Sequence, residues 1–296
     1  MILKAQLSAK QWSPDGFVQF RGFYPATEWR DVVTELDRSD VFRNAWLTGA
    51  RPPASLAIVL TPGLFSEWLP GCYSRARTRF REAGHRCLKT RVLTGRSVAD
   101  QANRLAEQVL RWLRPGERFI WCTHSKGGID ALWALEENVE LRQRCAAAAL
   151  VQMPMGHSWV IADIEDRPGS LGDRTLRASM RTPFFARGVT EISRRRSPEL
   201  DQWLRTLEPP VPLIHAATWS LQATSWIDSW HARLNSLRPG HAHDGQFFLA
   251  DQRIERAPVV CLPRLDHAQP VLGGLGLDVG RLWTSLASVA WHEIAD

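Results

Sequence analysis

Residues 118–128 read RFIWCTHSKGG, a short apolar run that stops abruptly at Ser125 and is followed by Lys126, Gly127 and Gly128. The run has the length of a buried strand, and the glycines open a helical pattern that continues as GGIDALWALEENVELRQRC to residue 145. A serine between a buried strand and a glycine-rich helix start is either a tight structural turn or a nucleophile on display. The two readings call for different neighbours, so the rest of the chain has to separate them.

Strand and helix patterns alternate on both sides of this stretch. SLAIVLTPG (55–63) reads as a strand ended by Pro62 and Gly63, SEWLPGCYSRARTRFREAGH as one helix stopped by Gly84, and CLKTRVL as the next strand. In SVADQANRLAEQVLRWLRPG, Ser97 is the expected N-cap, and Val98, Ala102, Leu105, Val109 and Trp112 recur on one helical face. AAAALVQMP, VPLIHAATWS and APVVCLP (257–263) supply three further strands, and DVGRLWTSLASVAWHEI a closing helix with Leu282, Leu286 and Val289 on one face. The order implies a doubly wound, mostly parallel α/β sheet. Residues 154–210 break the alternation with proline, glycine, arginine and short helical pieces such as SPELDQWLRTL, as a helical lid or cap over a site would. Residues 1–54, with a helix expected at TEWRDVVTEL, read as an extension packed on the sheet of a domain spanning 55–296.

Composition narrows the function classes. The 296 residues are 44% hydrophobic and 23% charged, as in a globular protein with a sizeable core. No apolar run approaches the ~18 residues of a membrane helix, and the N-terminus MILKAQLSAKQWSPDG lacks the basic start and apolar core of a secretory signal, so a cytoplasmic protein is expected. Cys72, Cys87, Cys122, Cys145 and Cys261 show neither a CxxC pair nor an even framework, and read as small core residues. The net charge of +6 is scattered except at Arg194, Arg195 and Arg196, and the tryptophans do not interleave with a basic stripe, which argues against nucleic acid as a partner.

A serine hydroxyl attacks at neutral pH only with a base in hydrogen-bond reach and N–H donors for the oxyanion. A strand-to-helix elbow exposes the Oγ, and the N–H of Lys126 at the helix start would point at the oxyanion. Five ordered fragments carry a resemblance. THSKGG resembles the GHSxGG of the α/β-hydrolase superfamily and its bacterial lipase and esterase members, and TPGLF resembles their HGLF. VQMPMGHSWVIAD is similar to TPHRGSPVAD, HDGQFF to NDGLVP, and LDHAQP to the segment bearing the family's histidine. Carried over, the resemblance implies the α/β-hydrolase fold, with Ser125 as nucleophile, Asp244 as orienting acid, His267 as general base, and the amides of Leu64 and Lys126 as the oxyanion hole. It implies hydrolysis of a small-molecule acyl ester through an acyl-enzyme, with no cofactor. An acyltransferase or thioesterase would use the same three groups, and a hydrolase-fold binding protein would use none of them.

Loops at the carboxyl ends of strands in a doubly wound sheet converge on one crevice, and Asp244 and His267 both occupy such loops. The rivals are plain: Ser125 as a helix cap, Asp251 or Asp228 in place of Asp244, and His267 as a surface histidine. The cluster HAHD (241–244) could suggest zinc, but no second cluster completes a ligand set. The calcium site of the secreted lipases is not expected either, because Gln269 stands where they carry an aspartate. Two residues depart from the pattern: Thr123 replaces the elbow's first glycine and Pro62 the histidine before Gly63. In the insert, Trp159, Met180, Phe184 and Phe185 would form an apolar inner face. Arg167, Arg174, Arg177, Arg181 and Arg187 would form a basic outer one that favours anionic substrates.

Overall fold

A computed structural model describes residues 36–182, 185–220, 230–274 and 276–293. Helix α1 (Ser39–Thr48) precedes β1 (Ala57–Thr61), α2 (Ser74–Glu82), β2 (Cys87–Lys89), α3 (Val98–Trp112) and β3 (Phe119–His124). Then come α4 (Lys126–Glu137), α5 (Val139–Arg144) and β4 (Cys145–Val151), followed by four short helices, α6 (Trp159–Asp166), α7 (Leu171–Ser179), α8 (Ala186–Thr190) and α9 (Pro198–Arg205). The chain ends with β5 (Leu213–Trp219), α10 (His231–Leu237), β6 (Val259–Pro263), α11 (Gln269–Leu272) and α12 (Val279–His292).

All six strands are parallel, in the order β2-β1-β3-β4-β5-β6. The central strands are buried on both faces, and their alternating side chains serve two cores. Ile58, Leu60, Ile120 and Cys122 face α1, α2 and α12, while Ala57, Val59, Phe119 and Trp121 face α3, α4 and α9. The sequence order reverses between β1 and β3, because β2 lies on one side of β1 and β3 on the other. A crevice opens at the carboxyl ends of strands that diverge in this way, and the loop after β1 and the turn after β3 both lie there. All five cysteines are buried and none is disulfide-bonded. Among the described residues no helix is long and apolar enough to cross a membrane.

Two helices and one strand differ from the periodicity. SEWLPGCYSRARTRFREAGH is not one helix: Pro70 and Gly71, the latter at φ 85°, separate a 3-10 turn (Ser66–Trp68) from α2. GGIDALWALEENVELRQRC breaks at Asn138, whose backbone is extended and whose side chain accepts the Leu141 N–H to cap α5. CLKTRVL is a strand over only its first three residues. The helix expected at TEWRDVVTEL falls almost wholly outside the described residues. The segment after it reaches the sheet edge: Arg38 N–H donates to Val259 O (2.8 Å), Val259 N–H to Leu36 O (2.8 Å), and Ser39 Oγ accepts the Cys261 N–H (3.1 Å). The N-cap expected at Ser97 holds α3 through the Asp100 N–H, and Asp278 caps α12 in the same way through the Arg281 N–H.

Candidate active site

Ser125 sits between β3 and α4 at φ 56° and ψ −139°, a backbone region that serine rarely adopts. Such strain persists only where the surroundings enforce it, and here they do. Ser125 N–H is tied to Val151 O (2.9 Å) and its carbonyl accepts the Gly128 N–H (2.9 Å). Small residues make the turn possible. A Cβ on Gly63 would lie 2.7 Å from Ser125 Cβ, and one on Gly127 would run into the Pro62 carbonyl. The loop after β1 therefore lies directly against the Ser125 turn, through Pro62 and Gly63. Ser125 makes no side-chain cap bond to α4, so the plain capping role does not account for it.

The loops after β5 and β6 bring the other two residues in. His267 Nε2 lies 3.0 Å from Ser125 Oγ, and His267 Nδ1 lies 2.8 Å from Asp244 Oδ2. Asp244 Oδ1 accepts the N–H groups of Gln246 and Phe247, both at 2.8 Å, and the Asp244 carbonyl accepts the His267 N–H at 2.8 Å. The carboxylate is thus fixed in one orientation, with its second oxygen left for the imidazole. With Nδ1–H donated to Asp244, Nε2 presents its lone pair to the serine hydroxyl. Ser125 and His267 are 6% and 9% exposed, so the pair lies beneath the surface. Lys126 N–H, first in α4, has no intrahelical acceptor by helix geometry, and the helix start places positive potential beside Ser125 Oγ.

Asp251 does not compete for the histidine. Its carboxyl accepts the Trp159 Nε1–H (3.0 Å), and burial pushes its pKa up to about 6. Asp228 lies outside the described residues. In HAHD, Asp244 turns to His267 while the His243 ring packs on His231, 4.2 Å between centroids, and edge-on to Phe248. Among the described residues no group of three metal-binding side chains gathers there or elsewhere. Gln269 Oε1 instead accepts the Asp266 N–H (2.8 Å), which secures the loop that carries His267.

Several contributors lie in these motifs, but the motifs do not single them out as supports of the site. His124 Nε2 lies 2.8 Å from both the His267 carbonyl and Gln152 Oε1, and burial pulls its pKa down to about 3, so the ring is neutral and supports the histidine loop. Gln152, itself at φ 54°, donates to the Asp266 carbonyl (3.0 Å) and to Thr218 Oγ1. Thr123 is fully buried and its hydroxyl has no hydrogen-bond partner among the described residues, a cost of about 1–3 kcal/mol that the strand pairings on both sides offset. These partners come from β4, β5 and the loop after β6, so only a long-range contact map could have singled them out.

Part of the 154–210 segment joins an apolar cluster next to this site. Val160, Ile164, Met180 and Val189 form a cluster with Phe247 and Phe248, and Leu64, Phe65, Trp159 and Phe185 pack against it. Phe184 lies outside the described residues. The basic outer face is partly offset, since Arg167 and Arg187 pair with Asp163 (3.1 Å) and Asp100 (3.2 Å). A cleft of about 600 Å³ opens beside the insert between Met155, His157, Arg194, Arg196, Arg205 and Asp251. None of Ser125, Asp244 and His267 lines it, and its arginines are held by Asp166 and Asp201.

A scan of protein-family models finds no match, and neither does a search of curated proteins. Solved structures do match. A metagenomic carboxyl esterase is 20% identical, with a TM-score of 0.64, over 81% of this chain and 77% of its own. A Bacillus licheniformis lipase in its mature form is 17% identical, with a TM-score of 0.58, over 78% of this chain and 90% of its own. The chain has the α/β-hydrolase fold, a six-stranded parallel sheet flanked by helices.

Proposed function

We propose that the chain is a serine hydrolase of carboxylic esters that works through an acyl-enzyme on Ser125. The observation that carries this reading is the hydrogen-bonded line from Asp244 through His267 to Ser125, set on a strained strand-to-helix turn. Ser125 Oγ attacks the acyl carbonyl while His267 Nε2 takes its proton, and the Asp244 carboxylate stabilises the imidazolium that forms. The amides of Leu64 and Lys126 receive the oxyanion. Collapse of the tetrahedral species expels the alcohol, which takes the proton from Nε2. A water then enters by the same steps in reverse order and releases the acid. No step calls for a metal or an organic cofactor.

Residues 154–210 act as a cap on the 55–296 domain in this reading, with residues 1–54 as an extension. The apolar layer of Val160, Met180 and Val189 above the oxyanion loop supports an acyl group that is itself apolar, and the low exposure of Ser125 supports a cap that moves to admit it. The lipase and esterase neighbours fit the same class. Turnover of p-nitrophenyl esters from acetate to dodecanoate tests the proposal. It predicts hydrolysis at some chain length that Ser125→Ala abolishes, and a wild-type rate no higher than that of Ser125→Ala across the whole panel would refute it.

A further inference from the structure

The first turn of α4 holds a charge cluster that the proposed chemistry leaves unused. Lys126 is 1% exposed, and its Nζ lies 2.6 Å from Asp130 Oδ1 on the same helix and 3.5 Å from Glu191 Oε2. Glu191 caps the end of α8 in the insert, far along the chain from Lys126. The same Glu191 oxygen accepts the Val98 N–H at the start of α3, at 2.6 Å. One carboxylate oxygen of the insert therefore binds both the helix that follows the nucleophile and the helix beside it. A buried ammonium persists only with such partners. Burial raises both carboxyls, that of Asp130 to about 6, against the opposing pull of Lys126. Asp100, paired with Arg187 at 3.2 Å, is the other acidic group facing Glu191.

The opposite flank of α8 leads to the other oxyanion donor. A Cβ on Gly188 would strike the Thr94 carbonyl, so α8 lies flush against that loop. Thr94 Oγ1 in turn accepts the Phe65 N–H (2.6 Å) and donates to Glu67 Oε2 (2.9 Å), while the Phe185 ring sits 5.9 Å from Phe65 and 5.2 Å from Trp68. Phe65 follows Leu64, and Phe65 itself is held at φ 63°. The short helix thus touches the supports of both amides at once, through Glu191 on the Lys126 side and through Gly188 and Phe185 on the Leu64 side.

We propose that Glu191 is a positioning residue for the oxyanion hole: through Lys126 it fixes the first turn of α4, so that the insert completes the hole as well as covering it. The inference rests on the ester-hydrolase reading above. Oxyanion donors act on the transition state and not on the bound ester, so disturbing their placement lowers kcat and leaves KM nearly unchanged. Glu191→Gln keeps an acceptor for Val98 and removes the charge. Its kcat on a p-nitrophenyl ester is expected to fall by ~10-fold, less than the 10²–10³ of a donor removed outright, with KM within about twofold. Lys126→Met keeps the backbone amide and is expected to lower kcat similarly, and adding Glu191→Gln to it should cost nothing further, because both changes break one link. Arg195→Ala, which cuts an insert ion pair to Glu165 away from α8, should leave both constants as they are.

Wild-type turnover that Ser125→Ala abolishes is measured first, and its absence would sink the hydrolase reading itself. With that turnover in place, an unchanged kcat in Glu191→Gln, a rise in KM alone, or full additivity with Lys126→Met would each overturn the role of Glu191. Should Glu191→Gln fail to fold by circular dichroism, the kcat of Lys126→Met decides by itself: a drop at constant KM supports the role and an unchanged value overturns it.

Discussion

All six residues of β3 are buried, whereas of the nine in α7 only Asp173 is. The strand is held between parallel neighbours with apolar side chains feeding two cores, and its burial contributes about 25 cal/mol for each Å² of apolar surface removed from water. Helix α7 leaves Leu171 81% exposed and is held by charge: Arg233 grips Asp173 at 2.6 and 3.1 Å, and a capping box joins Ser170 to Asp173. The neighbouring insert pairs Arg194–Asp166 and Arg195–Glu165 are exposed, worth at most about 1 kcal/mol each and weakened by salt. A buried floor beneath the candidate site thus meets an insert whose outer edge, at α7, is held by small, separable contacts. In the cap reading proposed above that outer edge is free to move, while Glu191 ties α8 to α3 and α4.

That contrast can be broken most severely at the floor. Asp244→Asn keeps the shape of the site but cannot hold the imidazole with Nε2 free to accept the serine proton, and kcat on a reactive ester is expected to fall by ~10⁴-fold with an unchanged melting temperature. A loss under tenfold would mean that Asp244 does not orient His267. Gly63→Ala comes next. Its Cβ would lie 2.7 Å from Ser125 Cβ, so the oxyanion loop must shift, and a loss of ~10²-fold in kcat/KM is expected while circular dichroism stays native. Wild-type rates in Gly63→Ala would show that the loop after β1 has no part in the chemistry.

The smallest effect belongs to that outer edge. The Arg233 guanidinium, together with the Ser170 N–H, holds the Asp173 carboxyl well below its usual range. A carboxyl lowered on folding stabilises the fold above the unfolded value near 4, and that contribution fades as pH falls below it. Acidification from neutral to mildly acid pH should therefore leave α7 in place, and stronger acid should speed proteolysis within residues 167–181 before the sheet unfolds. Asp173→Asn should show the faster cleavage already at pH 7. Equal cleavage of variant and wild type at neutral pH would show that the ion pair does not hold the insert.

How much of this was legible in the sequence follows the same division. Strand positions, the Ser97 cap of α3 and the apolar face of α12 are periodic or local, and the structure has them where the pattern puts them. The pieces THSKGG, HDG and LDHA pointed to Ser125, Asp244 and His267, which lie in one hydrogen-bonded line. Apolar spacing continues across both Pro70–Gly71 and Asn138; the Pro-Gly pair is a breaker that this spacing masks, and the break at Asn138 shows only in the backbone. The supports of the site were out of reach for another reason. His124 meets a carbonyl 143 residues away, and Gln152 reaches a carbonyl 114 residues away, contacts that no window of sequence contains. Glu191 sits in a stretch whose charges look like a solvated surface, and no local pattern links it to Lys126.

The central claim is that Ser125 is a nucleophile activated by His267, and covalent labelling tests it most directly. Wild-type protein treated with a fluorophosphonate should gain the mass of one adduct, found after digestion on the peptide that contains Ser125. Ser125→Ala should gain none, and His267→Ala should react far more slowly than wild type. Absence of an adduct on the Ser125 peptide, or labelling that persists unchanged in Ser125→Ala, would contradict the account.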